Sequence, residues 1–351
     1  MAERDDAADL HWPDLIERVL AGGSLDAATS EAALRSIMHG GVDPAVVGGF
    51  LVALRAKGET TDEIVGLARA MRSMATPFPV DTPGTVLDTC GTGGDRSGTV
   101  NVSTMAAVVC AAAGVRVVKH GNRAASSRSG SADVLESLGV VIDLAPPEAL
   151  ECLGRCGITF LFAPAYHPAL GHVMPARRAL GVRTVFNVLG PLANPAGVGL
   201  QVLGVPDPAI GERMAEALAA LGVRRAFVVH GADGLDELST TGVNRVWEVD
   251  AGVIRTWELD PQGLGLPRAA LSDLAGGDAE DNAEVVRRVL AGEAGPVRDI
   301  VVLNAGAGLV VAGLADDVAA GVARAASVID DGTAAGTLAH WVATSRSLSA
   351  D

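Results

Sequence analysis

Aromatic residues are scarce, at 3% of the chain with a single tyrosine, and positive charge is outnumbered, 27 Lys and Arg against 42 Asp and Glu. The resulting net charge of −15 argues against a broad nucleic-acid or anionic-membrane surface, though not against a small anionic ligand. Only four cysteines occur, Cys90, Cys110, Cys152 and Cys156. The closest pair is spaced Cys-x-x-x-Cys with no neighbouring His or second pair, which disfavours a zinc site. No uninterrupted apolar run is long enough for a bilayer, and Met1-Ala2-Glu3-Arg4-Asp5-Asp6 lacks the basic-then-apolar pattern of a signal peptide. The expectation is a soluble cytoplasmic protein with reduced thiols.

What the chain has in plenty is small aliphatic residues and 43 glycines among 351 residues, 49% of them hydrophobic. That composition fits an α/β protein of one or two domains better than a disulfide scaffold or a disordered chain. No solenoid repeat is present. Up to about Ala75 the pattern is helical and well punctuated. Asp43-Pro44 reads as an N-cap with proline at the first helical position, and Thr60 with Glu63 as a capping box. Thr76-Pro77-Phe78-Pro79 marks a crossing into a second region.

From Thr85 onward short apolar runs alternate with helices, the mark of a mostly parallel sheet. Strands are predicted near residues 86–90, 115–118, 140–142, 158–162, 201–205, 226–229 and 300–303. A hairpin around Asp250-Ala251-Gly252 makes the sheet mixed. The predicted fold is therefore α/β: a small N-terminal all-helical domain plus a larger α/β domain. Pattern alone leaves open whether the helical stretch at 169–181 stays with the sheet. The expected division assigns it to the helical domain with residues 1–76, leaving 77–168 and 182–351 as the α/β domain.

The most unusual stretch runs from Lys119 to Asp133, with three cations, four hydroxyls and two glycines between an apolar run and a helix. A strand end that feeds such a loop into a helix start is a place where α/β proteins bind anions, because unpaired N–H groups and the helix dipole converge there. One βα unit earlier, Gly91-Thr92-Gly93-Gly94-Asp95 follows a strand and Asn101-Val102-Ser103-Thr104 opens a helix. Arg96 stands where a dinucleotide fingerprint needs glycine. After a later strand, the adjacent carboxylates Asp236 and Glu237 would gain from a hard cation such as Mg²⁺. Arg177-Arg178 offers one arginine to a carboxylate, since consecutive helical residues diverge.

In this order these motifs resemble the anthranilate phosphoribosyltransferases, and more broadly the class that includes pyrimidine nucleoside phosphorylases. Arg183-Thr184-Val185-Phe186-Asn187 and Gly190-Pro191-Leu192 belong to the same resemblance, which spans about Trp12 to Leu338. Ala193 departs from it, standing where the family usually has threonine. The resemblance implies transfer of a phosphoribosyl group to the amine of anthranilate, in tryptophan biosynthesis. Phosphoribosyl pyrophosphate would contact Gly91, Gly94, Asp95, Thr99, Asn101, Val102, Ser103 and Thr104. The basic loop would supply Lys119, His120, Gly121, Asn122, Arg123, Ala124, Ala125, Ser126, Ser127 and Ser131. Anthranilate would meet Gly91, His120, Asn122 and Arg177. Ser103, Asp236 and Glu237 would hold Mg²⁺, the serine and acidic pair meeting across the sheet's edge. No catalytic acid or base is implied, and a homodimer through the helical domain is.

Two alternatives stand beside it. A nucleoside phosphorylase carries Lys-x-Ser-x-Arg where this chain has Lys119-His120-Gly121-Asn122-Arg123, which favours the transferase. A non-catalytic nucleic-acid-binding relative needs a basic stripe that the net charge opposes.

Overall fold

The computed structural model describes residues 10–124 and 128–349. Ala125, Ser126 and Ser127 of the basic loop lie outside the described residues. The chain separates into two compact units: one takes the residues through Thr76 together with Pro164–Pro195, the other Pro77–Ala163 and the chain from Ala196 onward.

The helical unit begins with α1 (Trp12–Leu20), α2 (Ala27–His39), α3 (Pro44–Lys57) and α4 (Thr61–Ser73). Asp43 caps α3 by accepting the Ala45 N–H at 2.7 Å, with Pro44 in the first turn. The Thr60–Glu63 capping box forms at the start of α4. Its Glu63 carboxylate is buried and also accepts the Leu25 N–H at 3.0 Å and the Lys57 ammonium at 2.9 Å, so one cap residue ties three segments together. α2 and α4 approach closely at Gly66, where a Cβ would lie 2.1 Å from the Ala27 carbonyl oxygen.

The returning segment is wider than 169–181. Its ends are tied to α4 and the residues after it by the Thr76 N–H on Tyr166 O (2.8 Å) and Arg72 Nε on Leu192 O (2.6 Å). Instead of one helix, it has a 3₁₀ turn at Pro168–His172 followed by an α-helix at Met174–Leu180. Pro168 and Pro175 punctuate it, because proline removes a backbone donor and is accommodated at a helix start. The helix lies on α3, with Leu180 against Gly48.

The second unit contains β1 (Leu87–Gly91), α5 (Val102–Ala112), β2 (Val117–Gly121), α6 (Ser131–Leu138), α7 (Pro146–Cys156), β3 (Ile158–Phe162), β4 (Leu200–Gly204), β5 (Arg225–His230), β6 (Asn244–Asp250) and β7 (Val253–Leu259). The seven-stranded sheet has the order β3-β2-β1-β4-β5-β6-β7. β3 to β5 run parallel in that order, and β6 and β7 add an antiparallel hairpin. Ala251 and Gly252 both have positive φ in its turn, which matches the right-handed twist of the strands it joins.

Two predicted strands are not strands. Residues 300–303 lie inside the helix Pro296–Val311, whose residues from Ile300 to Val311 are all buried. A short apolar run fits a buried helix as well as a buried strand, and the Gly295-Pro296 start decides for the helix. Residues 140–142 pair with no strand: Val140 and Ile142 are buried, while the Val141 N–H donates to Ser345 Oγ at 3.1 Å. Among the described residues no helix is long and apolar enough to cross a membrane.

Candidate functional site

The strand order reverses between β1 and β4: from β1 the chain builds outward through β2 and β3, then returns to the other side of β1 with β4 and β5. In open α/β sheets such a switch point leaves a crevice at the carboxyl ends of the strands, where ligands bind. Gly91 and Gly204 are register partners at those two ends. The segment after β5 brings Asp236 directly over them. A Cβ on Gly91 would lie 2.0 Å from Asp236 Oδ2, and one on Gly204 would lie 1.6 Å from the Asp236 carbonyl oxygen. Both strands therefore end in glycine because a carboxylate residue occupies the space. The acidic segment lies at the carboxyl-end edge of β1 and β4, the third and fourth strands of the sheet.

The glycine turn is wound around the same carboxylate. The Gly93 N–H donates to Asp236 Oδ2 at 2.6 Å, and Gly93, Gly94, Arg96 and Gly98 all take positive φ. Asp95 is fixed by the Ser97 hydroxyl at 2.6 Å, and that hydroxyl lies 3.2 Å from Thr99 Oγ1. The start of α5 has no serine or threonine cap. Asn101 is the N-cap residue without a side-chain cap bond, and Glu237 Oε1 accepts the Ser103 N–H at 3.1 Å. A carboxylate from 134 residues away thus meets the positive end of the helix. The Val102 and Thr104 side chains are buried, at 1% exposure each, and point into the unit.

Lys57 and Lys119 are the chain's two lysines. Lys119, on β2, is 2% exposed, and its ammonium donates to Thr89 O and, at 3.2 Å, to Ser103 Oγ. One buried lysine thus bonds the hydroxyl of the same serine whose backbone N–H meets Glu237. Burial raises the carboxyl pKa of both Asp236 and Glu237. Asp95 raises that of Asp236 further, Asp236 raises that of Glu237, and Lys119 opposes the rise at Glu237. Both side chains keep an accessible edge while protein atoms surround them on nearly every side. Three carboxylates interacting here with one lysine give the strand ends a negative balance, a chemistry that fits a divalent cation taking hard oxygen ligands. Among the described residues no three His, Cys, Asp or Glu side chains are grouped to hold a metal by themselves, so such an ion would draw further ligands from water or substrate.

Beyond β2 the basic loop is shaped largely by itself. Asp133 Oδ2 accepts the N–H groups of Ala124 and Gly130, each at 2.8 Å, closing the loop around its exit helix. Arg123 pairs with Glu136 and lies 3.5 Å from Asp133 and 5.5 Å from the centre of the Phe162 ring, so its charge is directed outward along α6. Ser131 Oγ bonds Asn122 O at 3.4 Å and stands where a Cβ on Gly121 would fall, 2.3 Å away. His120 is 8% exposed, and its N–H donates to the buried Asp88 at 3.4 Å. Asn122 is exposed.

Arg177 belongs to the helical unit. It is half-buried over the Phe186 ring at 5.1 Å, whereas Arg178 is exposed, so the structure separates two residues that periodicity could not. Sequence reasoning missed Gly204 and Asn304. Asn304 is a buried amide in the apolar helix Pro296–Val311 that grips Leu238 from both sides, accepting its N–H at 3.0 Å and donating to its carbonyl at 2.8 Å. A lone asparagine in an apolar run was the available signal.

Residues 83–335 match the glycosyl transferase family a/b domain, and residues 13–75 match the helical bundle domain of the same family. The anthranilate phosphoribosyltransferase of Moorella thermoacetica is 51% identical over 328 residues, covering 93% of this chain and 96% of the relative. The crystal structure of the anthranilate phosphoribosyltransferase from Thermus thermophilus superposes with a TM-score of 0.89 at 48% identity, covering 95% of this chain and 99% of that one. The Saccharomyces cerevisiae enzyme in complex with PRPP and Mg gives 0.88 at 29% identity, covering 97% and 99%. The chain belongs to the anthranilate phosphoribosyltransferase family and transfers the phosphoribosyl group of phosphoribosyl pyrophosphate to the amine of anthranilate, in tryptophan biosynthesis.

Proposed function

We propose that the donor's diphosphate binds at the carboxyl ends of β1 and β2, between the glycine turn from Gly91 to Thr99, the start of α5 and the basic loop from Lys119 to Ser131. The observation that carries this reading is the convergence of Asp236, Glu237, Ser103 and Lys119 at the switch point, with Asp236 packed on Gly91. Asp236, Glu237 and the Ser103 hydroxyl would hold Mg²⁺, which when bound neutralises charge on the departing pyrophosphate. Lys119 donates to Ser103 in a place water barely reaches, where it would stabilise the same charge without reorganising.

Anthranilate would use Arg177 for its carboxylate, with Gly91, His120 and Asn122 as further contacts. The half-buried guanidinium is already oriented by Phe186, which favours a planar, bidentate partner. None of these groups is set up as a base for the attacking amine, so the proton leaves late, to solvent. The chain's contribution is positioning and leaving-group stabilisation.

A homodimer through the helical unit is the reading its surface supports. Gly48, Gly49, Ala45, Ala176 and Ala179 line an apolar groove between α3 and the helix Met174–Leu180, with Val52 exposed at its side. A cytoplasmic location fits the substrates. The direct test is loss of anthranilate fluorescence with phosphoribosyl pyrophosphate and Mg²⁺, in wild type and in Asp236→Asn. Normal turnover and donor affinity in the variant would remove the metal assignment.

A further inference from the structure

The two anion loops are bracketed by a helix that belongs to neither. Ahead of the helix Ala279–Leu290, residues 274–276 run antiparallel to residues 98–100: the Val100 N–H donates to Leu274 O at 3.0 Å, and the Gly276 N–H to Gly98 O at 2.8 Å. Gly276 makes this approach possible, since a Cβ there would lie 2.9 Å from the Thr99 carbonyl. Near the other end of the helix, Arg287 Nη2 donates to Ser137 O of α6 at 3.1 Å, and α6 is the exit helix of the basic loop.

Between these grips stands Asn282, 2% exposed. Its Oδ1 accepts the Gly277 N–H at 2.8 Å and its Nδ2 donates to Asn101 Oδ1 at 2.9 Å. Asn101 in turn donates its Nδ2 to Ser129 O at 3.3 Å. The relay has one direction. The Gly277 N–H can only donate, which orients the Asn282 amide, which orients Asn101, whose remaining donor can then meet the Ser129 carbonyl. A single chain of amides thus joins the α5 start to the basic loop.

We propose that Asn282 is a positioning residue for the phosphorylated donor, setting the relation between the two loops through Asn101. This rests on the donor-site reading above. Asn282→Asp keeps the shape and still accepts from Gly277, but turns an oxygen toward Asn101 Oδ1. The Asn101 amide then reverses, and its oxygen faces the Ser129 carbonyl. The loops separate although no group placed on the donor has been removed.

The experiment measures calorimetric binding of phosphoribosyl pyrophosphate with Mg²⁺, without anthranilate, together with both Michaelis constants and the thermal midpoint. It uses wild type, Asn282→Asp, Asn282→Ala and Lys119→Ala. The expected result is roughly tenfold weaker donor binding in both Asn282 variants, the size of one lost buried hydrogen bond. The donor's KM rises with it, while the anthranilate KM stays within about twofold. Wild-type donor binding in both Asn282 variants alongside its loss in Lys119→Ala overturns the role of Asn282 and leaves the donor site standing. Wild-type binding in all three removes the donor-site reading itself. An equal rise in both Michaelis constants with a fallen thermal midpoint makes Asn282 a general packing residue and overturns the proposal.

Discussion

Asp236 Oδ2 lies where a Cβ on Gly91 would have to be, 2.0 Å from its ideal position, and accepts the Gly93 N–H at 2.6 Å. The strand end, the glycine turn and the acidic segment are therefore one steric unit. Gly91→Ala should push Asp236 out of place at a cost of about 1–3 kcal/mol in stability, the usual range for overpacking. Its larger effect falls on the Mg²⁺ dependence of donor KM. Unchanged metal dependence in a folded Gly91→Ala protein would show that the contact is structural only.

Gly204→Ala tests the same unit from the neighbouring strand. There the clash is with backbone, 1.6 Å from the Asp236 carbonyl oxygen, and backbone cannot rotate away as a carboxylate can. This variant should lose more stability than Gly91→Ala in a denaturant titration, and comparable midpoints would contradict the packing argument.

Arg177→Ala should raise the anthranilate KM roughly 10- to 100-fold, since a charge-assisted hydrogen bond contributes on the order of 1.5–3 kcal/mol. Arg178→Ala, at an exposed position, should leave both Michaelis constants unchanged. A shift confined to the donor's constant in Arg177→Ala would assign this arginine elsewhere.

The helical unit carries its own pH dependence. His167 is 2% exposed, and burial pushes its pKa down to about 4, against a hydrogen bond to the Ala193 backbone that favours the charged form. The unfolded chain takes up this proton first, near pH 6.5, so the neutral ring's contribution is complete above that value. It is lost as pH falls toward 4, amounting to about 3 kcal/mol over the window from an ordinary 6.5 to the depressed value. Unfolding midpoints followed from pH 7 to 4 should fall more steeply for wild type than for His167→Gln. Parallel curves would remove His167 as the cause.

Val52→Asp places a charge beside the apolar groove of the helical unit. Light scattering should find a dimeric wild type and a monomeric variant with its unfolding midpoint close to that of wild type. A monomeric wild type at micromolar concentration contradicts the dimer.

Local chemistry made much of this molecule legible. Asp43-Pro44 and Thr60 with Glu63 act through neighbours within three residues, so their caps could be read directly from spacing. The motifs at 91–95, 101–104 and 119–133 follow strand ends because a parallel sheet leaves its loops there. Where a signal was short and apolar it failed: residues 300–303 satisfy a buried strand and a buried helix equally, and the Gly295-Pro296 start together with the length of the helix Pro296–Val311 resolves them. The sequence by itself determined the fold class, the helix boundaries set by caps and the residue types of the site. Tertiary structure alone decided that Asp236 crowds Gly91 and Gly204, that Glu237 meets the start of α5, and that Asn282 reaches Asn101 across 181 residues of chain. Those contacts depend on the order of strands in the sheet, and strand order is set by how the whole core closes, which no local window of residues encodes.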